Sequence, residues 1–327
     1  MKDTPRVSVV ISTRDRADSV GDTVRGILSN DYPNFEIWIV DQSGDDRTES
    51  SLASLAGDPR VHYVKSDTRG LSRGLNLGID RAESEIIAIT GDDCEVRRSW
   101  LTALVAAFEA DRRIGIVFGN VVPGPHDGKK GFVPGYVRSS AELGRTIHEK
   151  HRLGGTSACM GLRRSVWQAL GGFDPMLGAG ARFHSAEDMD FTIRALSSGY
   201  HVYETPAVSV VHRGFYSWEM RSALVHRYWY GTGASIMKQL KCGQWSILLV
   251  LLQLARGWVS YRSPIARSFG ARTHRLRGAQ AFILGVISGA LTPVLRSRRH
   301  YVDTGPIMQG GKGESSRAGT DAPARAT

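Results

Sequence analysis

Hydrophobic and polar positions along the first 120 residues predict strands and helices in turn. Short apolar, β-branched runs are followed by segments in which apolar residues recur with the spacing of one helix face. The predicted strands cover residues 7–12, 35–40, 61–64, 86–90 and 114–118, and the predicted helices cover 19–29, 71–82 and 100–110. Nearly continuous apolar strands separated by helices indicate an α/β fold, with a mostly parallel central sheet and helices on both faces.

The pattern becomes less regular after residue 120. Residues 122–152 are rich in Pro, Gly, Lys and His and have no clear period, which predicts a long, mobile loop over the ligand site. Residues 156–170 have helical character, whereas residues 202–203 and 208–211 predict two short strands.

Long helical segments with many arginines begin at residue 215, and they include two apolar stretches, 245–254 and 279–295. The tail from Asp303 has low complexity and is predicted to be disordered. We therefore expect three parts. These are a catalytic domain over 1–214 with halves 1–120 and 121–214, a basic helical region over 215–300, and a disordered tail over 301–327.

The composition is that of an ordinary globular protein, with 41% apolar and 23% charged residues among 327. The three cysteines, Cys94, Cys159 and Cys242, are far apart and form no CxxC pair. We therefore expect a reducing compartment, and neither a disulfide framework nor a structural zinc site. The apolar run near the N-terminus is too short for a signal peptide or a spanning helix.

Positive charge is concentrated in the C-terminal third. Residues 213–299 contain 14 lysines and arginines but a single acid, Glu219, so the net charge of this region is +13. The whole chain has a net charge of +10, so the other residues together carry −3. Such a region predicts an anionic partner, which could be membrane lipid, nucleic acid or a phosphorylated acceptor.

Polar side chains stand at the carboxyl ends of the first four predicted strands, which meet at one edge of a right-handed wound sheet, where ligands bind. These polar groups are residues 12–15, 41–43, 65–67 with Arg69, and 92–93.

A second acidic cluster, at residues 187–190, opens a predicted helix. One cluster could hold a divalent metal and a diphosphate while the other supplies a general base. Alternatively, each acidic cluster only favours the start of a helix through its dipole.

Six motifs occur in a fixed order along the chain: VSVVISTRDR, IWIVDQSGDD, RGLSRGLNLGI, IIAITGDDC, RRSVWQALGGFD and AEDMDF. With these motifs, residues 6–215 resemble the family 2 glycosyltransferases, which have the GT-A fold. The resemblance implies an inverting transfer of a sugar from a nucleotide-sugar donor to an acceptor hydroxyl. We expect the acceptor to be a lipid-linked or polymeric glycan.

The resemblance also implies a donor site with a divalent metal, Mn²⁺ or Mg²⁺. Asp93 matches the metal-binding acid of the family, and His212 matches a third metal ligand of some members. Nucleotide binding is implied for Thr13, Arg14, Asp41, Arg69, Arg73 and Asp92. The family often has an Arg-Asn pair after the third strand where this chain has Leu75 and Asn76, which leaves open whether Arg69 or Arg73 contacts the diphosphate.

The acceptor half of the site is implied in the same way. Asp188 matches the general base of the family, and Glu187 beside it is the next candidate. Gly172, Phe173 and Asp174 resemble the segment that lines the acceptor side.

The apolar stretches of the C-terminal region are flanked by arginines, with Trp and Tyr nearby, a combination typical of the membrane interface. We therefore expect a cytoplasmic protein that is peripheral at the inner face of an anionic membrane. Alternatively, these helices pack on the catalytic domain or in an oligomer.

Two other function classes fit less of the sequence. A nucleotidyltransferase would be expected to have a Gly-rich phosphate loop with a basic residue soon after the first strand, and residues 12–20 contain no such loop. A nucleic-acid-binding protein could use the basic region, but it would leave both acidic clusters unexplained and no recognition motif is visible. We therefore expect no nucleic-acid partner.

Overall fold

The computed structural model describes residues 4–260 and 273–305, with side chains described for 4–256 and 276–305. A nine-stranded sheet forms its centre, and two pairs of short strands lie outside the sheet. The strands are β1 (Val7–Thr13), β2 (Phe35–Asp41), β3 (Val61–Lys65), β4 (Ile86–Thr90), β5 (Cys94–Val96), β6 (Ile114–Pro123), β7 (Gly131–Phe132), β8 (Glu142–Gly144), β9 (Cys159–Arg163), β10 (His201–His212), β11 (Tyr216–Ser217), β12 (Val294–Leu295) and β13 (His300–Tyr301).

The sheet has the strand order β3-β2-β1-β4-β9-β6-β10-β5, with β8 paired to β10. Strands β1 to β4 are parallel where they pair, as are β6 and β10, whereas β9 runs antiparallel between β4 and β6. The helices are α1 (Ala17–Leu28), α2 (Arg47–Leu52), α3 (Leu71–Arg81), α4 (Trp100–Glu109), α5 (Arg164–Leu170), α6 (Glu187–Ser197), α7 (Arg221–Lys241), α8 (Ile247–Ser260) and α9 (Thr273–Leu291), with 3₁₀ segments at Ala53–Leu55, Ile147–Arg152 and Trp218–Met220.

Strand β1 illustrates why helices cover both faces of the sheet. Val9 and Ile11 point into one core and Val10 into the other, because successive side chains of a strand face opposite sides. The first core contains side chains of α1 and α4, and the second contains side chains of α3, α5 and α6. The predicted α/β class, with a mostly parallel sheet and a helical C-terminal region, is therefore confirmed.

Two predicted elements between residues 156 and 211 are wrong. Residues 159–163 form β9 rather than the start of a helix, because the apolar run is buried between two strands, and such a run does not distinguish a central strand from a buried helix. The two short strands predicted at 202–203 and 208–211 are one strand, β10, whose pairing with β6 shifts register between Thr205 and Ser209.

The segment predicted as one long loop contains short elements and is fixed to the sheet. Its β8 pairs with β10, and Val121 forms a bridge with Tyr136. The buried Glu204 of β10 accepts a hydrogen bond of 2.7 Å from the Tyr136 hydroxyl and two, of 2.8 and 2.6 Å, from the amides of Gly154 and Gly155. The segment therefore has a defined path past the edge of the sheet.

The C-terminal helices share their core with the α/β domain. One apolar cluster joins Ile193 of α6 to Ile236 of α7 and Val250 of α8. The Lys238 ammonium of α7 lies 2.7 Å from Asp174 Oδ2 and 2.8 Å from Asp190 Oδ1, and all three side chains have 0% exposure. The boundary predicted after residue 214 therefore crosses a buried interface.

Helices α7 and α9 touch along their backbones. A Cβ atom at Gly285 would overlap the carbonyl of Tyr230, and one at Gly233 would overlap the carbonyl of Phe282. Only glycine permits this approach. Within the described ranges, none of the helices has both the length and the apolar character needed to cross a membrane.

The predicted disorder of the tail is wrong for its first residues. Tyr301 lies in β13 with 2% exposure, and its amide donates to Asp174 over 2.9 Å. Asp303 pairs with Arg73. The predictions made for residues 306–327, and for the aromatic and arginine side chains between 257 and 275, lie outside the described residues.

Candidate active site

A cavity of about 350 Å³ opens at the carboxyl ends of β1, β2 and β4. Polar residues and glycines form much of its wall: Ser12, Thr13, Arg14, Arg16, Gln42, Gly70, Gly91, Asp92, Asp93, Ser157, Gly180, His212 and Tyr216. The cavity therefore lies where the sequence predicted a ligand site, at the edge where parallel strands end.

Asp92 is held by the first strand through its carboxylate and by the first helix through its backbone carbonyl. The Thr13 hydroxyl donates to Asp92 Oδ2 over 2.7 Å, and the Thr23 hydroxyl donates to the Asp92 carbonyl over 3.0 Å. Burial, followed by the neighbouring charge of Asp93, raises the pKa of Asp92 to about 6. Bringing a cation to this edge would therefore favour the ionised form of Asp92.

Asp93 contacts His212 and Arg16, one on each of its two carboxylate oxygens. His212 Nε2 lies 3.3 Å from Asp93 Oδ1, and Arg16 Nη1 lies 2.9 Å from Asp93 Oδ2. Strand pairing of β10 with β5 sets His212 opposite Cys94 and thus beside Asp93. Burial alone would raise the pKa of Asp93, but the contacts with His212 and Arg16 outweigh it and hold that pKa below its usual value.

His212 is oriented as metal-binding histidines usually are. Its Nδ1 lies 2.8 Å from the carbonyl of Pro134, which can only accept, so Nδ1 carries a proton and Nε2 faces Asp93. Histidine nitrogen and carboxylate oxygen are both ligands of Mn²⁺. The pair therefore fits a divalent cation in its donor chemistry.

The pair does not form a complete metal site. Across the described ranges, no three side chains of the His, Cys, Asp and Glu types converge as such a site. A cation held by Asp93 and His212 would take its remaining ligands from phosphate oxygens and water, as Mg²⁺ sites of nucleotides do.

The second carboxylate pair stands at the first turn of α6. Ser157 links it to the cavity, because the Ser157 hydroxyl donates to Glu187 Oε1 over 2.9 Å and Ser157 itself lines the cavity. Asp188 is half-buried and accepts from the amide of Met189 over 2.6 Å. Burial, and then the charge of Asp188, raises the pKa of Glu187 to about 8, and burial also raises the pKa of Asp188.

A match to a known protein family identifies the family of this chain. The sequence model described as Glycosyl transferase family 2 matches residues 8–171, half of the chain, including β1, the Asp92–Asp93 pair and β9. The chain belongs to glycosyl transferase family 2. Within this family 2 chain, α6 and the Glu187–Asp188 pair lie after the matched region.

Relatives of this family 2 chain are similar in sequence but much longer. The O-antigen biosynthesis protein RfbC of Myxococcus xanthus is 28% identical over 233 residues, which are 65% of this chain and 18% of RfbC. The uncharacterized protein y4gI of Sinorhizobium fredii is 28% identical over 235 residues, 65% of this chain and 25% of y4gI. The chain thus spans about a quarter or less of the length of these curated relatives.

A solved structure has a similar fold. The mannosyltransferase PcManGT from Pyrobaculum calidifontis, in complex with GDP-Man and Mn²⁺, aligns with a TM-score of 0.58 and 20% identity. The alignment covers 89% of this chain and 88% of that one. It therefore extends beyond the matched domain into the C-terminal helices.

Three of the residues predicted to bind the nucleotide do not line the cavity of the family 2 chain. Asp41 has 0% exposure and accepts from the Tyr63 hydroxyl over 2.7 Å and from the Ser43 amide over 2.9 Å. Arg73 pairs with Asp303, and Arg69 is absent from the wall. Thr13, Arg14, Asp92, Asp93 and His212 are brought together there. A contact between Asp41 and a nucleotide would require one of its present bonds to be exchanged.

The predicted acceptor segment, Gly172, Phe173 and Asp174, is buried and does not line the cavity. Phe173 and Asp174 have 0% exposure, and the Phe173 ring packs 4.6 Å from that of Phe191. Gly172 accepts a hydrogen bond of 2.8 Å from Arg194 through its carbonyl. The segment supports α6 from behind because Asp174 neutralises the buried Lys238, a pairing that no local pattern revealed.

Arg16, Ser157 and Tyr216 line the cavity although the sequence assigned them no role. The position of Arg16 in the site could have been predicted, because Arg16 is a cation in the motif of β1 and lies close to the end of that strand. The position of Ser157 could not have been predicted, because it depends on β9, which was predicted as helix.

Proposed function

We propose that this family 2 chain is an inverting, metal-dependent glycosyltransferase. It would move a sugar from a nucleotide-sugar to a hydroxyl of a lipid-linked or polymeric glycan. One observation carries the proposal: a carboxylate–imidazole pair suited to a cation lines the cavity, and Ser157, which lines the same cavity, donates to Glu187 of a carboxyl pair suited to proton transfer.

On the donor side, Asp93 and His212 would hold the divalent ion. When bound, this ion neutralises the negative charge that develops on the leaving diphosphate. Arg14 and Arg16 line the same cavity and offer guanidinium groups that match phosphate oxygens. Thr13 holds Asp92 in place through its hydroxyl. These side chains would bind and orient the donor before any proton moves.

On the acceptor side, Asp188 would be the general base. Two adjacent carboxyl groups cannot both ionise easily, so one proton stays on the pair near neutral pH. The charge of Asp188 raises the pKa of Glu187, whereas the nearby Lys150 ammonium favours the ionised form of Asp188, so Glu187 would keep this proton and Asp188 would be ionised. Asp188 would then take the proton from the acceptor hydroxyl as its oxygen attacks the anomeric carbon. One base without a nucleophile is sufficient for an inverting displacement.

The relatives support the substrate classes without naming them for this chain. One is an O-antigen biosynthesis protein, and the solved neighbour binds GDP-Man with Mn²⁺. We therefore propose a nucleoside-diphosphate sugar as donor and an envelope glycan as acceptor.

We further propose that the protein is peripheral at the cytoplasmic face of a membrane. Two stripes of exposed apolar side chains support this, each residue being between 39% and 79% exposed. They are Trp245, Leu248, Leu249 and Leu252 at α8, and Leu276, Ile283, Leu284, Ile287 and Leu291 on α9. Exposed arginines 277, 296 and 298 lie near them in the chain and would attract anionic lipid. The alternative occupant of these stripes is a second copy of the chain.

Donor binding gives a direct test with one variant and one control. Asp93→Ala should abolish the Mn²⁺-dependent part of the affinity for GDP and UDP in calorimetry, because the cation loses its carboxylate ligand. Glu95→Ala, two positions further along the chain in β5 and paired with Arg213, should leave this affinity unchanged. Equal Mn²⁺-dependent affinity in Asp93→Ala and wild type would remove the metal assignment.

A further inference from the structure

Ser157 lies between the cavity and the carboxyl pair of α6. It lines the cavity, whereas Glu187 and Asp188 are not part of the wall. Its hydroxyl donates to Glu187 Oε1 over 2.9 Å, and its amide donates to Asp188 Oδ2 over 3.4 Å. One residue therefore contacts both carboxyl groups and the space in which a substrate would bind.

The backbone on both sides of Ser157 is anchored to the central sheet. On one side, the amides of residues 154–155 donate to the buried Glu204 of β10 over 2.8 and 2.6 Å. On the other side, the Thr90 hydroxyl at the end of β4 donates to the carbonyl of Ala158 over 3.0 Å, and Thr90 also lines the cavity. The sheet therefore fixes the position of Ser157 relative to the strand ends where a donor would bind.

Glu187 carries a carboxyl group that water hardly reaches. The residue is 7% exposed, and a Cβ atom at Gly178 would lie only 3.3 Å from Glu187 Oε2. In such surroundings a hydrogen bond to a carboxylate is stronger than it is in water, because the local dielectric constant is low. The Ser157 hydroxyl therefore favours the ionised form of Glu187, against the effect of burial.

Other ionisable groups act on the pair as well. Burial and then the charge of Asp188 raise the pKa of Glu187 to about 8, and the hydrogen bond from Ser157 opposes this rise. Burial raises the pKa of Asp188, and the charge of Lys150 opposes that rise. Tyr228 of α7 stays neutral, because burial and the charge of Asp188 raise its pKa. How the two carboxyl groups share one proton therefore depends on the Ser157 hydroxyl as well as on these charges.

We infer that Ser157 is a positioning residue for the proposed base: it holds Glu187 and Asp188 beside the cavity and sets how the two carboxyl groups share one proton. This inference rests on the proposed function, because it takes Asp188 as the base. Since Ser157 is anchored to the sheet, the carboxyl pair keeps one place relative to the strand ends. Without the hydroxyl, the two carboxyl groups would remain but would lose this fixed relation to the cavity.

The first test measures stability against pH in the full-length protein, without donor or metal. Ser157→Ala removes a hydrogen bond to the ionised carboxyl, so it should lower the ionisation constant of Glu187 about tenfold. The unfolding free energy of Ser157→Ala relative to wild type should therefore fall as pH rises through about 8, where Glu187 of the folded wild-type protein ionises. Ser157→Thr keeps a hydroxyl and should follow wild type. In the Glu187→Gln background, Ser157→Ala should cause no pH-dependent change.

A stability difference between Ser157→Ala and wild type that is constant with pH overturns the inference. So does a pH-dependent difference that persists in the Glu187→Gln background, because it would belong to another group.

The second test measures transfer. The rate should fall about tenfold or more in Ser157→Ala, because the pair is no longer held in place, and Ser157→Thr should restore most of it. The Mn²⁺-dependent affinity for GDP and UDP should be retained in both variants. An unchanged rate in Ser157→Ala also overturns the inference. The stability measurements need no substrate, so a failure of the donor experiment with Asp93→Ala would refute the metal assignment and leave the result for Ser157 and Glu187 decisive.

Discussion

The two carboxylate centres of the site are held in different ways. Asp93 stands at the open edge of the sheet, and its partners, Arg16 and His212, also face the cavity. Asp188 stands in the first turn of α6, and the fully buried Lys238 fixes Asp190 in the same turn. The difference teaches that the first centre can exchange its partners for a ligand, whereas the second is coupled to the stability of the whole chain.

The largest effect that would sharpen this comparison is on stability. Lys238→Met should lower the free energy of unfolding by about 3–5 kcal/mol, because Asp174 would stay buried without its cation. Urea denaturation measures this, and the exposed Lys129→Met should change it by less than about 0.5 kcal/mol. Adding Asp174→Asn to Lys238→Met should restore part of the loss. A Lys238→Met protein as stable as wild type would contradict the coupling.

The next effect is on the reaction. Asp188→Asn is nearly isosteric but cannot take a proton, so transfer should fall about a hundredfold or more. Glu187→Gln resembles the protonated form of its carboxyl and should retain most of the rate. Donor affinity should persist in both. A reversed result, with the Glu187→Gln protein inactive and the Asp188→Asn protein active, would move the base to Glu187.

A smaller effect concerns pH. Folded protein keeps the proton of Glu187 up to about pH 8, whereas the unfolded chain loses it near the ordinary pKa of 4.5. The unfolded state therefore binds fewer protons in this interval, and this residue makes stability fall as pH rises through it. Glu187→Gln has no such proton, so its stability relative to wild type should increase from about pH 5 to about pH 8. If the difference in unfolding free energy between Glu187→Gln and wild type did not change with pH, the pKa of Glu187 would be the same in the folded and the unfolded protein.

The smallest effects concern the helices beyond the base. Basic residues near an anionic membrane contribute on the order of 1 kcal/mol each, so sedimentation of the full-length protein with anionic liposomes should be partly reversed by salt. Apolar burial should supply the remainder, and Leu248→Ser with Ile287→Ser should reduce it. Light scattering of the same variants separates the alternative: a dimer that dissociates on these changes, without liposome binding in wild type, would assign the stripes to a second copy.

The open edge of the sheet could be predicted from the sequence because its determinants are local. Each strand from β1 to β4 is a short apolar run followed at once by polar residues, so Thr13, Asp92 and Asp93 could be placed at one edge. The assignment of their roles stays a prediction. Arg16 stands in the motif after β1 and could have been placed at this edge in the same way, whereas its pairing with Asp93 is a long-range contact that the sequence does not indicate.

The support of the proposed base could not be predicted, because it depends on long-range pairing. Asp174 meets Lys238 and Tyr301 across a turn, a helix and a hairpin, and nothing near any of the three indicates the others. A buried lysine in an arginine-rich helix looks like surface charge in the sequence. The same reason explains why the burial of the segment Gly172, Phe173 and Asp174 was not predicted.

The backbone contact between α7 and α9 fixes how far the apolar stripe of α9 lies from Asp188. With Gly233 and Gly285 set against opposing carbonyls, neither helix can roll or slide without a clash. The apolar stripe of α9 therefore keeps one fixed height and tilt relative to Asp188. If that stripe rests on a membrane surface, the fold fixes the distance between the surface and Asp188, and with it the distance at which an acceptor hydroxyl can react. Only acceptors whose free hydroxyl projects to that height would be elongated.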